Sequence, residues 1–136
     1  MIKRLRLWIT DHLCNCKWAY QRATRGYADC DVWNFDHWFC KTISAMLYQL
    51  SDTCCGYPGT EEFPTLESFQ VWLKHIAHDI RFNTEEEQEK LNPYNPLSDE
   101  EFEDYYARCQ MLAQEAQCYF EEAMSQLAKN FHMLWD

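Results

Sequence analysis

Between Arg25 and Phe39 the chain reads RGYADCDVWNFDHWF, in which Asp29, Asp31, Asp36, Arg25 and His37 stand among five large aromatic side chains. Carboxylates and an imidazole at such spacing could hold a divalent cation or carry protons. Helical geometry tells against convergence. At 100° per residue Asp31 and His37 point about 120° apart, and Asp36 faces an apolar stripe that His37 only borders. The structural alternative gives each acid a local task. Asp29 or Asp31 caps the start of a helix, where an acid meets free N–H groups and the positive end of the helix dipole. Asp36 falls in the stripe Val32, Asp36, Phe39, Cys40, Ile43, Leu47, Leu50, where it becomes a buried acceptor. Such a carboxylate needs a partner, because desolvating it alone costs several kcal/mol. Arg25, the indole of Trp33 or Trp8 and the hydroxyl of Tyr20 or Tyr27 can reach it. His12 cannot: helical rise puts it about 16 Å from the intervening turn and Asp36 about 9 Å. The expected structural polar core is therefore Asp36, Arg25, Trp33, Asp29 and Asp31, with no catalytic residue and no metal.

Three other sets invite chemistry. His75, His78 and Asp79 have helical spacing suited to a metal, but they read as a solvated face opposite the core stripe of their helix. Glu86, Glu89, Glu101 and Asp104 loosely resemble the paired acids with which all-α nucleotide pyrophosphohydrolases bind magnesium, although Asn-Pro steps interrupt them. The local cysteine pairs, Cys14-Asn15-Cys16 and Cys54-Cys55, lack the two-residue spacer of a zinc knuckle. No nucleophile motif and no glycine-rich phosphate loop is present, so no cofactor is expected.

The elements that must position these residues are helices. Leu5, Trp8, Ile9, His12, Cys16, Ala19 and Tyr20 share one face of a first helix from about 3 to 23, and Leu7, Cys14 and Trp18 share another, which predicts burial on two sides or against a partner chain. A second helix runs from Asp29 or Asp31 to about Thr53, ended by CCGYPG, whose glycine supplies the reversal. A third, from about Thr65 to Phe82, presents Leu66, Phe69, Leu73, Ile76, Ala77 and Ile80. An acidic, proline-containing connector at about 83–98 follows, with capping-box spacing at Thr84/Glu87 and Ser98/Glu101. From Phe102 one stripe of apolar and small residues continues to Leu134, about nine turns. The fold class is all-α: one domain, an antiparallel bundle of about four helices with a long C-terminal helix.

Composition agrees. Apolar residues make up 47% of the 136 and glycines number three, enough for a core but too few turns for a sheet protein. The net charge of −10 is lopsided: residues 1–25 carry six bases against Asp11, and residues 83–104 carry nine acids against Lys90. A chain this acidic repels nucleic acid, and no apolar run reaches the roughly 20 residues a membrane span needs. The start MIKRLRLWITDHL has no small-residue cleavage site, so the eight cysteines read as reduced thiols of an intracellular protein.

Arg25-Gly26-Tyr27 with Asp29, Asp31, Trp33 and Asp36, then Gly56-Tyr57-Pro58, then Phe131 and Leu134-Trp135-Asp136, resembles a broad family of small helical proteins encoded by phages and prophages. The resemblance spans nearly the whole chain, and the eight cysteines depart from its pattern. It implies a phage-derived protein in the bacterial cytoplasm and assigns no activity. The expected function is non-catalytic: a module that binds a host or phage protein. Its narrower form is an anti-CRISPR-like inhibitor in which Glu85, Glu86, Glu87 and Glu89 take the place of phosphates in a nucleic-acid-binding enzyme. The alternatives are a self-assembling accessory protein, joined through Leu7, Cys14 and Trp18 of the first helix, and a metal-dependent nucleotide pyrophosphohydrolase.

Overall fold

A computed structural model of the chain describes residues 2–93 and 102–134, with side chains described from residue 13 onward. The chain is all-α. Its helices are α1 (Ile2–Arg25), α2 (Asp29–Trp33), α3 (Phe35–Thr53), α4 (Leu66–Phe82), α5 (Glu85–Leu91) and α6 (Phe102–Asn130), followed by a 3-10 turn at Phe131–Met133. No strand occurs among the described residues. The 136 residues group into two compact units, Met1–Trp38 and Phe39–Asp136.

In the first unit, α1 ends where Gly26 takes φ +83, a left-handed conformation that side chains with a Cβ rarely adopt. Its N–H closes the helix on the Arg22 carbonyl at 3.0 Å. Ala28 is extended, and α2 starts at once. The predicted faces of α1 differ from those found: Cys16, Ala19 and Tyr20 are exposed, while Cys14 and Trp18 are half-buried. Leu7, Trp8 and His12 lie outside the described side chains.

A single continuous second helix does not form. Asn34, at φ −119 and ψ 51, breaks it into α2 and α3. The break shifts the helical register, so a stripe extrapolated from Val32 to Phe39 fails across it. Val32, before the break, is exposed; Asp36, after it and in register with Cys40, is exposed in the first turn of α3, whereas Cys40 and Leu47 further along are buried as their spacing predicts.

The second unit is a helical bundle around α4. Lys74 pairs with Asp52 at 2.9 Å and Lys41 with Glu86 at 3.0 Å, so α3 runs antiparallel to α4. Trp72 Nε1 donates to Gln126 Oε1 at 3.1 Å, and Phe82 meets Tyr119 edge-on at 5.7 Å, which sets α6 antiparallel to α4 as well. Between these neighbours α4 buries Phe69, Leu73, Ile76, Ala77 and Ile80. Each large member contributes about 1.5–3 kcal/mol by leaving water. Phe63, from the loop before α4, closes the end of this core against Phe69 and Trp72, with ring centres 5.4 and 5.0 Å away.

The helix ends are set locally. Thr65 and Ser68 exchange side-chain and backbone hydrogen bonds at the start of α4, at 3.1 and 3.2 Å. Thr84 forms no such box with Glu87; its hydroxyl donates back to the Arg81 carbonyl at 2.9 Å. The Ser98/Glu101 pair lies outside the described residues. In CCGYPG the left-handed glycine is Gly59, φ +65, not Gly56. The last helix is covered over only part of its length: Ala116, Ala123, Leu127 and Asn130 are buried, whereas Phe102, Tyr106 and Met111 are exposed. The predicted nine-turn stripe is thus continuous in sequence but not in burial.

Candidate functional site

The charged block around residues 22–31 is built by the turn from α1 into α2. Gly26 reverses the chain, and Ala28 enters α2 with its N–H pointing at the third helical residue, Asp31. Asp31 Oδ2 accepts that N–H at 2.7 Å and accepts Arg22 Nε at 3.0 Å, while Oδ1 accepts Arg22 Nη2 at 2.5 Å. Asp31 is 7% exposed. It supplies the acid half of a capping box, and the paired guanidinium removes the cost of burying its charge.

Asp29, two residues earlier, is half exposed but also has both oxygens engaged. Its Oδ1 accepts Arg25 Nη2, and its Oδ2 accepts Gln21 Nε2 at 2.8 Å and lies 3.1 Å from Lys17 Nζ. Its backbone N–H donates to Gln21 Oε1 at 3.0 Å. Arg25 also lies over the Tyr27 ring, 4.6 Å from its centre, and donates from Nε to the Tyr27 carbonyl at 3.0 Å.

These contacts set the electrostatics. The hydrogen bonds from Arg22 lower the Asp31 carboxyl from its ordinary 3.8 to about 2, with the Ala28 N–H acting in the same direction. The amide of Gln21, then Arg25 and Lys17, hold Asp29 well below the usual carboxylate range. Both arginines are pushed up by the same bonds, Arg22 by Asp31 and Arg25 by Asp29. An acid so far below neutrality, with both oxygens engaged, is a poor proton shuttle at pH 7.

The predicted polar core is thus assembled differently. Among the described residues Arg25 forms its ion pair with Asp29, and Asp31 takes Arg22, which sequence reasoning did not single out. Asp36 is exposed rather than buried, since it stands in the first turn of α3, one turn before Cys40, the first buried residue of that helix, and Trp33 is 88% exposed. Sequence signals for Arg22 did exist: it stands one turn before the helix-ending Gly26 and nine residues before an acid at the third position of the next helix. Val32, Trp33 and Phe35 together leave an exposed apolar row just after the clasp, with the Phe35 and Trp38 rings 6.1 Å apart.

A second polar group sits in α4. Asp79 is buried, 6% exposed, with His75 Nε2 3.4 Å from Oδ2 and His78 Nδ1 3.1 Å from Oδ1. His75 and His78 do face solvent as predicted, but Asp79 does not, because α4 lies between two neighbours and buries a wider arc than one stripe. His78 hydrogen-bonds the carboxylate, and His75 lies within ion-pair distance of its other oxygen. Among the described residues no group of three or more His, Cys, Asp or Glu is arranged to hold a metal ion. Glu101, a member of the pyrophosphohydrolase-like set, lies outside the described residues.

The acidic connector is only partly free. Glu86 lies within 3.0 Å of Lys41 Nζ and 3.6 Å of Arg81 Nη2, and Glu87 is shared by Lys90 at 2.8 Å and Arg81 at 3.4 Å. Lys90 and then Arg81 hold Glu87 below its ordinary value. Glu85 and Glu89 are exposed and form no ion pair among the described residues. They line one pocket with Gln88, Tyr105 and Cys109, and a separate open groove of about 510 Å³ between α5 and α6 is lined by Leu91, Asn92, Arg108, Met111, Leu112 and Glu115 among others. Asn92 fixes its wall: its amide donates to Cys109 Sγ at 3.3 Å and its carbonyl accepts Arg108 Nε at 3.0 Å. The eight cysteines are all free thiols. Among the described residues no helix is long and apolar enough to cross a membrane.

No family model matches the chain. No curated protein and no solved structure matches it either.

Proposed function

We propose that the chain is a non-catalytic protein-interaction module of phage or prophage origin, which acts in the bacterial cytoplasm by occupying a surface on a host or phage protein. The observation that carries this reading is the exposed row Val32, Trp33, Phe35, presented by a turn whose acids and bases are bonded to one another. Tryptophan on a stiff backbone is a common interface anchor, since it brings large apolar area and loses little conformational freedom on binding. A lone exposed apolar residue needs no explanation, but Val32, Trp33 and Phe35 are 61%, 88% and 60% exposed within four positions of one another.

The narrower form of the proposal is an acidic inhibitor of a nucleic-acid-handling or defence enzyme, such as a CRISPR nuclease. Its support comes from Glu85 and Glu89, whose charges are not matched by a neighbouring base. Glu86 and Glu87 lend less, being held by Lys41, Arg81 and Lys90.

Affinity capture from a bacterial lysate tests both. The wild-type chain is expected to retain a stoichiometric protein that Trp33→Ser loses. Equal capture by the two, or none by the wild type, sinks the module reading. A variant with Glu85, Glu86, Glu87 and Glu89 changed to glutamine reads the narrower form, which undiminished capture removes.

A further inference from the structure

We infer that His75 and Asp79, on successive turns of α4, ligate one divalent cation of the zinc class, with His78 holding the carboxylate in position. The pair belongs to the second unit, and nothing in this assignment depends on the Trp33 row.

Asp79 is the residue that calls for an ion. Buried charges are paired or coordinate metals, because an ionised carboxylate loses several kcal/mol on leaving water alone. Asp31, the other buried acid among the described residues, offsets that cost with a bidentate guanidinium. Asp79 is as buried and has no lysine or arginine partner among the described residues; only His75 and His78 approach it. His78 Nδ1 donates to Oδ1 at 3.1 Å. Oδ2 faces His75 Nε2 at 3.4 Å, with no hydrogen bond between them.

That separation fits an ion shared by the two atoms. Zinc binds imidazole nitrogen and carboxylate oxygen at about 2.0–2.2 Å in tetrahedral geometry, which sets neighbouring donors about 3.3–3.5 Å apart. Side chains four residues apart lie on one face of a helix, the spacing with which paired histidines hold zinc. The backbone beneath them is fixed, for Ile76, Ala77 and Ile80 are buried in the core. His78 engages the second carboxylate oxygen, as the outer partners of metal ligands do, and its ring lies against Phe82, 6.3 Å between centres and 9° from parallel. His75 is exposed, so an ion reaches the pair from solvent. One nitrogen with one oxygen favours zinc, cobalt or nickel over magnesium and calcium, which take oxygen donors. Among the described residues no third donor side chain joins the pair, so the other positions fall to water and the affinity is modest.

The eight free thiols also bind zinc, so the test must resolve single histidines. Imidazole nitrogen NMR of the reduced full chain, titrated with zinc chloride, does so. His75 Nε2 is expected to shift and to saturate below about 1 mM zinc, and the His78 ring to follow through the shared carboxylate. Asp79→Asn is expected to abolish the His75 response, and His78→Ala to weaken it about tenfold or more. Circular dichroism shows whether Asp79→Asn, at a buried position, still folds. His75→Ala, at an exposed one, gives a second arm in which the His78 ring is expected to stop responding. A His75 nitrogen that stays in place up to about 1 mM zinc overturns the inference. So does a His75 response that folded Asp79→Asn leaves unchanged, or a His78 response that persists in His75→Ala, since either places the ion on one imidazole alone.

Discussion

Arg22 grips Asp31 with two nitrogens, Nε on Oδ2 at 3.0 Å and Nη2 on Oδ1 at 2.5 Å, and so ties the last turn of α1 to the first turn of α2. The guanidinium is half exposed while the carboxylate is buried, so water screens one side of the pair only. Replacing Asp31 by alanine removes the bidentate bond and the acceptor of the Ala28 N–H. The expected loss is about 1–2 kcal/mol from the first unit. Asp36→Ala, at an exposed position in the same block, is expected to change stability by less than about 0.5 kcal/mol. Urea denaturation followed by tryptophan fluorescence compares the two, and an equal effect would contradict the assignment of the buried acid.

The same pair fixes a pH dependence. Asp31 has a folded value near 2, below its ordinary 3.8, so the folded state favours its charged form. Its contribution is fully present above about pH 4 and drains away as pH falls toward 2. Melting temperature measured against pH is expected to drop over that window, and the drop should shrink in Asp31→Asn. A wild type and variant with parallel curves would show that the carboxylate is not held as described.

Metal binding by the block is not expected. Asp29 and Asp31 have their oxygens engaged by Arg22, Arg25, Gln21 and Lys17, and a divalent cation would have to displace these donors. Calorimetric titration with magnesium or manganese should give no saturable heat. Saturable heat that Asp31→Asn abolishes would restore the cation-site reading and with it the nucleotide hydrolase.

In the second unit, Asp79→Ala is expected to destabilise more than His75→Ala, although the two side chains lie 3.4 Å apart. The carboxylate is buried and its removal strands the packing around it, whereas His75 is exposed and returns to water. A difference of about 1 kcal/mol is expected in thermal unfolding. Leu73→Ala, at a position with no exposure, should exceed both, at about 2–5 kcal/mol.

Helices were readable in the sequence because their apolar spacing is regular: Phe69, Leu73, Ile76, Ala77 and Ile80 are all buried, as a 3.6-residue period requires. The candidate site was readable in composition and misassigned in geometry. Asn34 breaks the register between Val32 and Asp36 without glycine or proline to announce it, while Asp36 itself keeps the register of Cys40 and is exposed because burial on α3 begins only at Cys40, a limit that periodicity does not show. Arg22 and Asp31 meet because a three-residue turn folds back, and such a tertiary pairing leaves no periodic trace. Asp79 was lost differently: a single stripe describes a helix with one neighbour, and α4 has two. On α6 the period ran on past the residues that the bundle covers.

The most direct test of the clasp is amide hydrogen exchange at Ala28. Its N–H donates to Asp31 Oδ2 at 2.7 Å and the residue has no exposed surface, although it lies outside any helix. In the wild type this amide is expected to exchange at least about 100-fold more slowly than an unprotected one. In Asp31→Ala the protection should vanish. Fast exchange at Ala28 in the wild type, or unchanged protection in the variant, would contradict the view that the charges of residues 22–31 hold the turn together.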